Sequence, residues 1–205
     1  TVFRVARARQ SELRRMSLAA RLGYISRLKE VILSERESIM DQVQKETGKC
    51  RSDALMSEIF PVLDHLDYLL KRSPKILADR KAPTPIALVG KSSWVYFEPL
   101  GTILVISPWN YPFYQAIVPC TTSFATGNAT IYKPSEQTPA VGELYAECVE
   151  KAGLPPGVFN MIQGDGESGR RLALSEGIDG VLFTGSYEVG LKIKPETLTH
   201  YWKIM

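Results

Sequence analysis

The sequence predicts an α/β protein: a parallel sheet of the doubly wound class with flanking helices, preceded by a helical region and a β-hairpin. Strand-like and helix-like stretches alternate four times after Gly101. The first of those strands, "TILVIS", is a continuous apolar run, the pattern of a strand buried on both faces. Before it, apolar residues recur at three- and four-residue steps, which is a helical period.

The elements follow in order. Residues 11–49 read as one long helix with Leu18, Leu22, Ile25, Leu28, Ile32, Ile39 and Val43 in a stripe and Gly48 as its stop. Residues 51–72 give a second helix, with Leu55, Ile59, Val62, Leu66 and Leu69 inward and a kink or break at Pro61. Pro74, Pro83 and Pro85 mark 73–85 as a linker or extended crossing segment. "IALVGKSSWVYFEP" then reads as two short strands around Gly90–Ser93, a hairpin. The expected organisation is a helical region over 1–85, the hairpin over 86–99 and a sheet domain over 100–205. In that domain, "TILVIS", "ATIYKP", "VFNMIQ" and "GVLFTGS" are strands. The helices "AIVPCTTSFATG", "AVGELYAECVEKAG", "ESGRRLALSEG" and "YEVGLKIK" follow them one by one, three of them closed by Gly127, Gly153 and Gly177.

Composition narrows the function classes. The net charge of +3 is too small to argue for nucleic acid or an anionic membrane as partner. No apolar run reaches the ~18 residues of a spanning helix, and "TVFRVARARQ" lacks the apolar centre of a secretory signal. Cys50, Cys120 and Cys148 are an odd set without metal-ligand spacing, so a reducing cytoplasm fits better than a disulfide framework. His65 and His200 stand far apart, and no metal site is expected. The chain starts at Thr1 without Met, and no Gly or Pro stop signal lies near Met205. Both points raise the expectation of a piece of a longer protein.

In an open parallel sheet, ligands bind beyond the carboxyl ends of the strands. The four ends here are "SPWNYP" (Ser107 to Pro112), "KPSE" (Lys133 to Glu136), "GDGESG" (Gly164 to Gly169) and "GSYEVG" (Gly185 to Gly190). In the last, a helix N-terminus offers free N–H groups and a positive dipole end to a phosphate. Gly185 would let it approach, and the Ser186 hydroxyl would donate to it, although Ser186 also reads as a plain helix cap. Glu136 can accept from both hydroxyls of a ribose and would repel a 2′-phosphate, which favours NAD over NADP. Lys133 supplies a donor beside it; the same two residues also read as a surface ion pair. In "PWNYP", Asn110 can aim amide donors at a substrate oxygen, and Trp109 offers a flat wall. A tight turn with Trp109 in the core is the other reading of that stretch.

Taken together, "PWNYP", "ATGNATIYKPSEQTP", "AGLPPGVFNMIQGDGESG" and "FTGSYEVG" resemble, in order and spacing, the motifs of the NAD(P)-dependent aldehyde dehydrogenase superfamily. The resemblance is specific over residues 95–190. It implies a Rossmann-like cofactor domain whose phosphate motif, Gly185, Ser186 and Gly190, follows the fourth strand rather than the first. It implies cofactor binding by Ser107, Trp109, Lys133, Ser135, Glu136, Gly166, Phe183, Gly185 and Ser186. NAD is the expected cofactor, with NADP possible. Asn110 would stabilise the oxyanion formed from an aldehyde substrate, and the hairpin would serve homo-oligomerisation.

The family's cysteine nucleophile and its glutamate lie in G-Q-x-C and E-L-G-G stretches, and neither occurs here. Cys120 and Cys148 fall in apolar or amphipathic helices, where a free thiol is packing. The resemblance therefore implies the cofactor-binding part of an aldehyde dehydrogenase, inactive by itself. The alternative is a stand-alone dinucleotide-binding or interaction module without catalysis.

Overall fold

A computed structural model describes residues 2–197 of the chain, and side chains as far as residue 193. Helices α1 (Val2–Arg15) and α2 (Leu18–Thr47) open it. The single helix expected over 11–49 is thus two helices. Ser17 is extended, and its hydroxyl accepts the Ala20 N–H at 3.2 Å, which starts α2 afresh. Gly48 stops α2 with φ 74° and returns its N–H to Gln44. Ile25, Leu28, Ile32, Ile39 and Val43 are buried as the stripe requires.

The helix expected over 51–72 is α3 (Arg51–Ala54), one π-helical turn (Leu55–Ile59) and α4 (Phe60–Ile76). Pro61 sits in the first turn of α4, where a missing N–H costs nothing. The wide turn rotates Leu55 out to 40% exposure, contrary to its expected inward place. α4 runs past Pro74 to Ile76, four residues into the expected linker.

The hairpin also differs from expectation. Its first strand is β1 (Arg80–Ala82), which pairs antiparallel with β2 (Ser93–Val95), Arg80 opposite Val95. It therefore begins ahead of residue 86. "IAL" is a single 3₁₀ turn, Ile86–Leu88. Pro83 and Pro85 remove ladder donors on either side of Thr84, whose hydroxyl instead accepts the Ser93 N–H at 2.9 Å. Ile86 and Val89 are left 93% and 87% exposed, so their apolar character does not mark a strand.

The sheet domain follows the expected alternation: β3 (Thr102–Ile106), α5 (Tyr114–Ala125), β4 (Ala129–Lys133), α6 (Pro139–Lys151), β5 (Phe159–Met161), α7 (Gly166–Ala173), β6 (Gly180–Phe183) and α8 (Tyr187–Thr197). α7 ends at Ala173, short of the expected Gly177. Residues 198–205 of the expected domain lie outside the described residues, as does His200. The four strands are parallel in the order β5-β4-β3-β6.

That order sends the chain outward from β3 through β4 to β5, then back across to β6 on β3's other side. Right-handed crossovers in opposite directions must lie on opposite faces. Accordingly, Ile103, Val105 and Tyr132 join the core built with α2, α4, α5 and α6. Leu104, Ala129, Ile131 and Val181 join a second core with Ala6 of α1 and Leu172 and Ala173 of α7. The strict alternation along β3 is the two-residue period of a strand covered on both sides. The reversal between β3 and β6 is a topological switch point, and it opens a crevice at their carboxyl ends.

Candidate binding cleft

A cleft of about 540 Å³ occupies that switch point. This volume is within the usual range for small-molecule sites. Strand register sets its floor: Ile106 stands opposite both Lys133 and Phe183, so three strand ends finish in one row. The chain then diverges into loops that carry the lining residues. Ser107, Trp109, Lys133, Ser135, Glu136, Gly166, Phe183, Gly185 and Ser186 all line it, so the nine residues expected from the sequence come together. Asn110 does not; it is exposed in the turn just beyond Trp109, outside the lining. Gly190 packs one turn into α8 and also falls outside the lining.

Lys133 is buried to 3% exposure, yet its ammonium reaches Glu136 Oε2 at 3.1 Å at the cleft edge. The Glu136 carboxyl is held below its ordinary range by its own backbone N–H and by Lys133, so it is an acceptor at neutral pH. The Ser107 hydroxyl donates to the Tyr132 hydroxyl at 3.2 Å; burial raises the Tyr132 phenol, which stays neutral. Ser135 accepts the Gln137 N–H at 3.2 Å and rounds the loop toward Glu136. Asp165 caps α7 by accepting the Ser168 N–H at 2.9 Å. Gly166 follows, and a Cβ there would meet no atom within 4 Å, so open space lies over its backbone.

At the fourth strand end, Ser186 Oγ lies 3.4 Å from the Val189 N–H, at the start of α8. The two glycines serve the Phe183 ring as well as any ligand. A Cβ at Gly185 would come within 2.5 Å of Phe183 Cζ, and one at Gly190 within 3.4 Å of Cε1. Ligand approach is thus not the one use of Gly185. Arg170 and Lys192, two cations on the lining, are absent from the residues expected there. Their signal was present in the spacing: Arg170 lies four residues beyond Gly166, and Lys192 three beyond Val189, each on its neighbour's helix face.

The cysteines lie elsewhere. Cys120 and Cys148 are buried in α5 and α6, and burial raises both thiols, Cys148 to about 12. Cys50 is exposed, and the Ser52 hydroxyl lowers its thiol below the ordinary range. At pH 8 the thiolate fraction is therefore appreciable only at Cys50. In a chromogenic thiol assay at that pH, the native chain should release one equivalent quickly and two more only on unfolding; Cys50→Ser should abolish the fast phase. Among the described residues no group of three or more His, Cys, Asp or Glu is placed to hold a metal ion. No described helix is long and apolar enough to cross a membrane.

The fold and cleft together define an α/β protein with a crevice at a sheet switch point, N-terminal helices packed on the sheet and an antiparallel hairpin. Residues 1–204 match the model of the aldehyde dehydrogenase family, and the chain belongs to that family. It is 36% identical over 193 residues to 4,4′-diapolycopene aldehyde oxidase of Methylomonas sp, covering 94% of this chain and 36% of that protein. Among solved structures it resembles substrate-bound AldH of Staphylococcus aureus, with a TM-score of 0.92 and 26% identity over 99% of this chain and 44% of that one. It also resembles a mutant of aldehyde dehydrogenase C from Pseudomonas syringae complexed with NAD+ and octanal. There the TM-score is 0.89 with 27% identity, over 99% of this chain and 40% of that one. The chain thus spans well under half the length of these relatives.

Proposed function

We propose that the chain is the cofactor-binding portion of an aldehyde dehydrogenase and that the cleft takes the adenine dinucleotide. The convergence of the nine expected residues on one cleft carries this reading. Bound there, NAD+ would supply the hydride acceptor for oxidation of an aldehyde to a carboxylic acid. The donor set fits such a ligand: an ion-paired acceptor and donor, Glu136 and Lys133, for ribose hydroxyls, and open backbone at Gly166 beside the adenine. Ser186 and the α8 N-terminus face the place for the diphosphate, with Trp109 as a wall, while Ser107, Ser135, Phe183 and Gly185 shape the cleft. Asn110, exposed in the turn beyond that lining, would donate its amide to the oxygen of an aldehyde approaching from the open side.

Calorimetric titration of NAD+ into the purified chain tests this. A dissociation constant between about 1 μM and 1 mM is expected, the span of enzyme substrates in general; a folded chain showing no heat of binding would refute it. NADP+ should bind more weakly, because its 2′-phosphate meets the Glu136 carboxylate. Glu136→Gln should shrink the NAD+ over NADP+ preference by about tenfold, the value of one lost charge repulsion. An unchanged ratio would remove Glu136 from the ribose site.

The alternative, a binding module without catalysis, draws on the cysteines: none lines the cleft, and two are buried. Both readings share the cleft and differ in whether the chain works with further residues on an aldehyde. A homo-oligomer built through the hairpin also belongs to the proposal. Trp94, Tyr96, Phe97, Ile86 and Val89 are all exposed along this stretch and would supply the apolar surface such contact buries. Light scattering at rising concentration tests that; a monomer throughout would reject it. Neither nucleic acid nor a membrane enters this reading, and the free thiols suit a reducing cytoplasm.

A further inference from the structure

Both helices that lead away from the cleft on its α2 side start without a cap of their own. At α5 the preceding Phe113 has no capping side chain, and at α6 the Thr138 side chain makes no cap hydrogen bond and is left buried without a partner. Yet helix N-termini expose N–H groups that need acceptors. Here the acceptors come from far away in sequence. Glu46, at the end of α2, accepts the Ala140 and Val141 N–H at 3.0 and 2.8 Å. Glu58, in the π turn and wholly buried, accepts the Phe113 and Tyr114 N–H at 3.2 and 2.9 Å. Lys49 pairs with Glu58 and also lies 3.9 Å from the centre of the Tyr111 ring.

The loops just ahead of those two helices are the ones that carry Ser107 and Trp109, and Ser135 and Glu136, into the cleft. We propose that Glu46 and Glu58 are positioning residues: they set the two cleft loops by capping α6 and α5 from outside, with Lys49 holding Glu58 and the Tyr111 ring in place. The segment 46–58 is then a clasp on the cleft. A buried carboxylate with two N–H donors and an ammonium is fully engaged, so it has one geometry, and the loops inherit it. The wide π turn has a use in this arrangement, because it brings Glu58 inward while Leu55 and Met56 point out.

The role in ligand binding rests on the dinucleotide reading above, but the loop geometry does not, and the two are measured separately. On isotope-labelled chain, Glu58→Ala should speed amide exchange at Phe113 and Tyr114 by about tenfold or more, the usual worth of a charge-assisted cap. It should also shift the amide signals of residues 107–111 while leaving 135–141 in place. Glu46→Ala should do the converse. Glu58→Gln, which keeps an acceptor oxygen and folds more safely, should give smaller changes at the same residues. NAD+ affinity should fall about fivefold or more in each Ala variant and be partly restored in the Gln variants. Signals of 107–109 and 135–137 that stay put in the folded variants, Gln included, would overturn the proposal even if melting temperatures drop. Wild-type chain that fails to bind NAD+ while the amide shifts appear as described would sink the dinucleotide reading and leave the clasp standing.

Discussion

The Lys133→Met chain is expected to fold like the wild type and to bind NAD+ about ten to a hundred times more weakly. Among the described residues Lys133 is the one cation that is both buried and turned to the cleft edge, with its stem beside Gly169, whose Cβ would lie 3.5 Å from Lys133 Cδ. Methionine keeps that apolar stem and loses the ammonium. Hydrogen bonds from a charged donor are worth about 1.5–3 kcal/mol, which sets the expected range. The stability cost is small, because the partner, Glu136, is more than half exposed and screened. Relieving a buried ammonium even offsets part of the lost pair. Titration calorimetry with a parallel melt separates the two effects. Wild-type affinity in the folded variant would remove Lys133 from the site.

Gly101→Ala should have the largest effect on stability, a loss of about 3–5 kcal/mol in urea unfolding. Gly101 enters β3 with φ 138°, which strains any side chain, and a Cβ there would fall 2.1 Å from Asp179 Oδ2. That oxygen accepts the Thr102 N–H at 2.8 Å, while Asp179 N–H donates back to Thr102 O at 2.9 Å. The methyl group therefore breaks the joint that ties the start of β3 to the approach of β6. A strained φ costs about 1–3 kcal/mol and the displaced charged acceptor about as much again. Gly166→Ala is the matched control, with nothing near its Cβ. It should change stability by no more than about 0.5 kcal/mol. Equal behaviour of the two variants would refute the argument.

Most of the sheet domain was legible because parallel strands covered on both faces must be apolar throughout. "TILVI" and "ATIYK" show that directly, and Gly127 and Gly153 punctuate the helices between them. β1 was not legible: "RKA" is a largely exposed edge with no burial pattern to read, while the apolar "IALV" nearby is a solvent-facing turn. The break at Ser17 is not legible because no Gly or Pro interrupts residues 11–22, and only the extended backbone of Ser17 divides the helices.

By itself the chain determined which residues end the strands, and therefore which side chains stand at the carboxyl edge of a parallel sheet. Local periodicity and turn chemistry act over a few residues, so they can be read along the chain. Only the tertiary structure decided that these ends share one cleft and that Asn110 stays outside its lining. It alone put Phe183 against Gly185 and Gly190, and placed Glu46 and Glu58 on helices 55 to 95 residues downstream. Contacts at that separation depend on strand order and on the face each crossover takes, which no local pattern encodes.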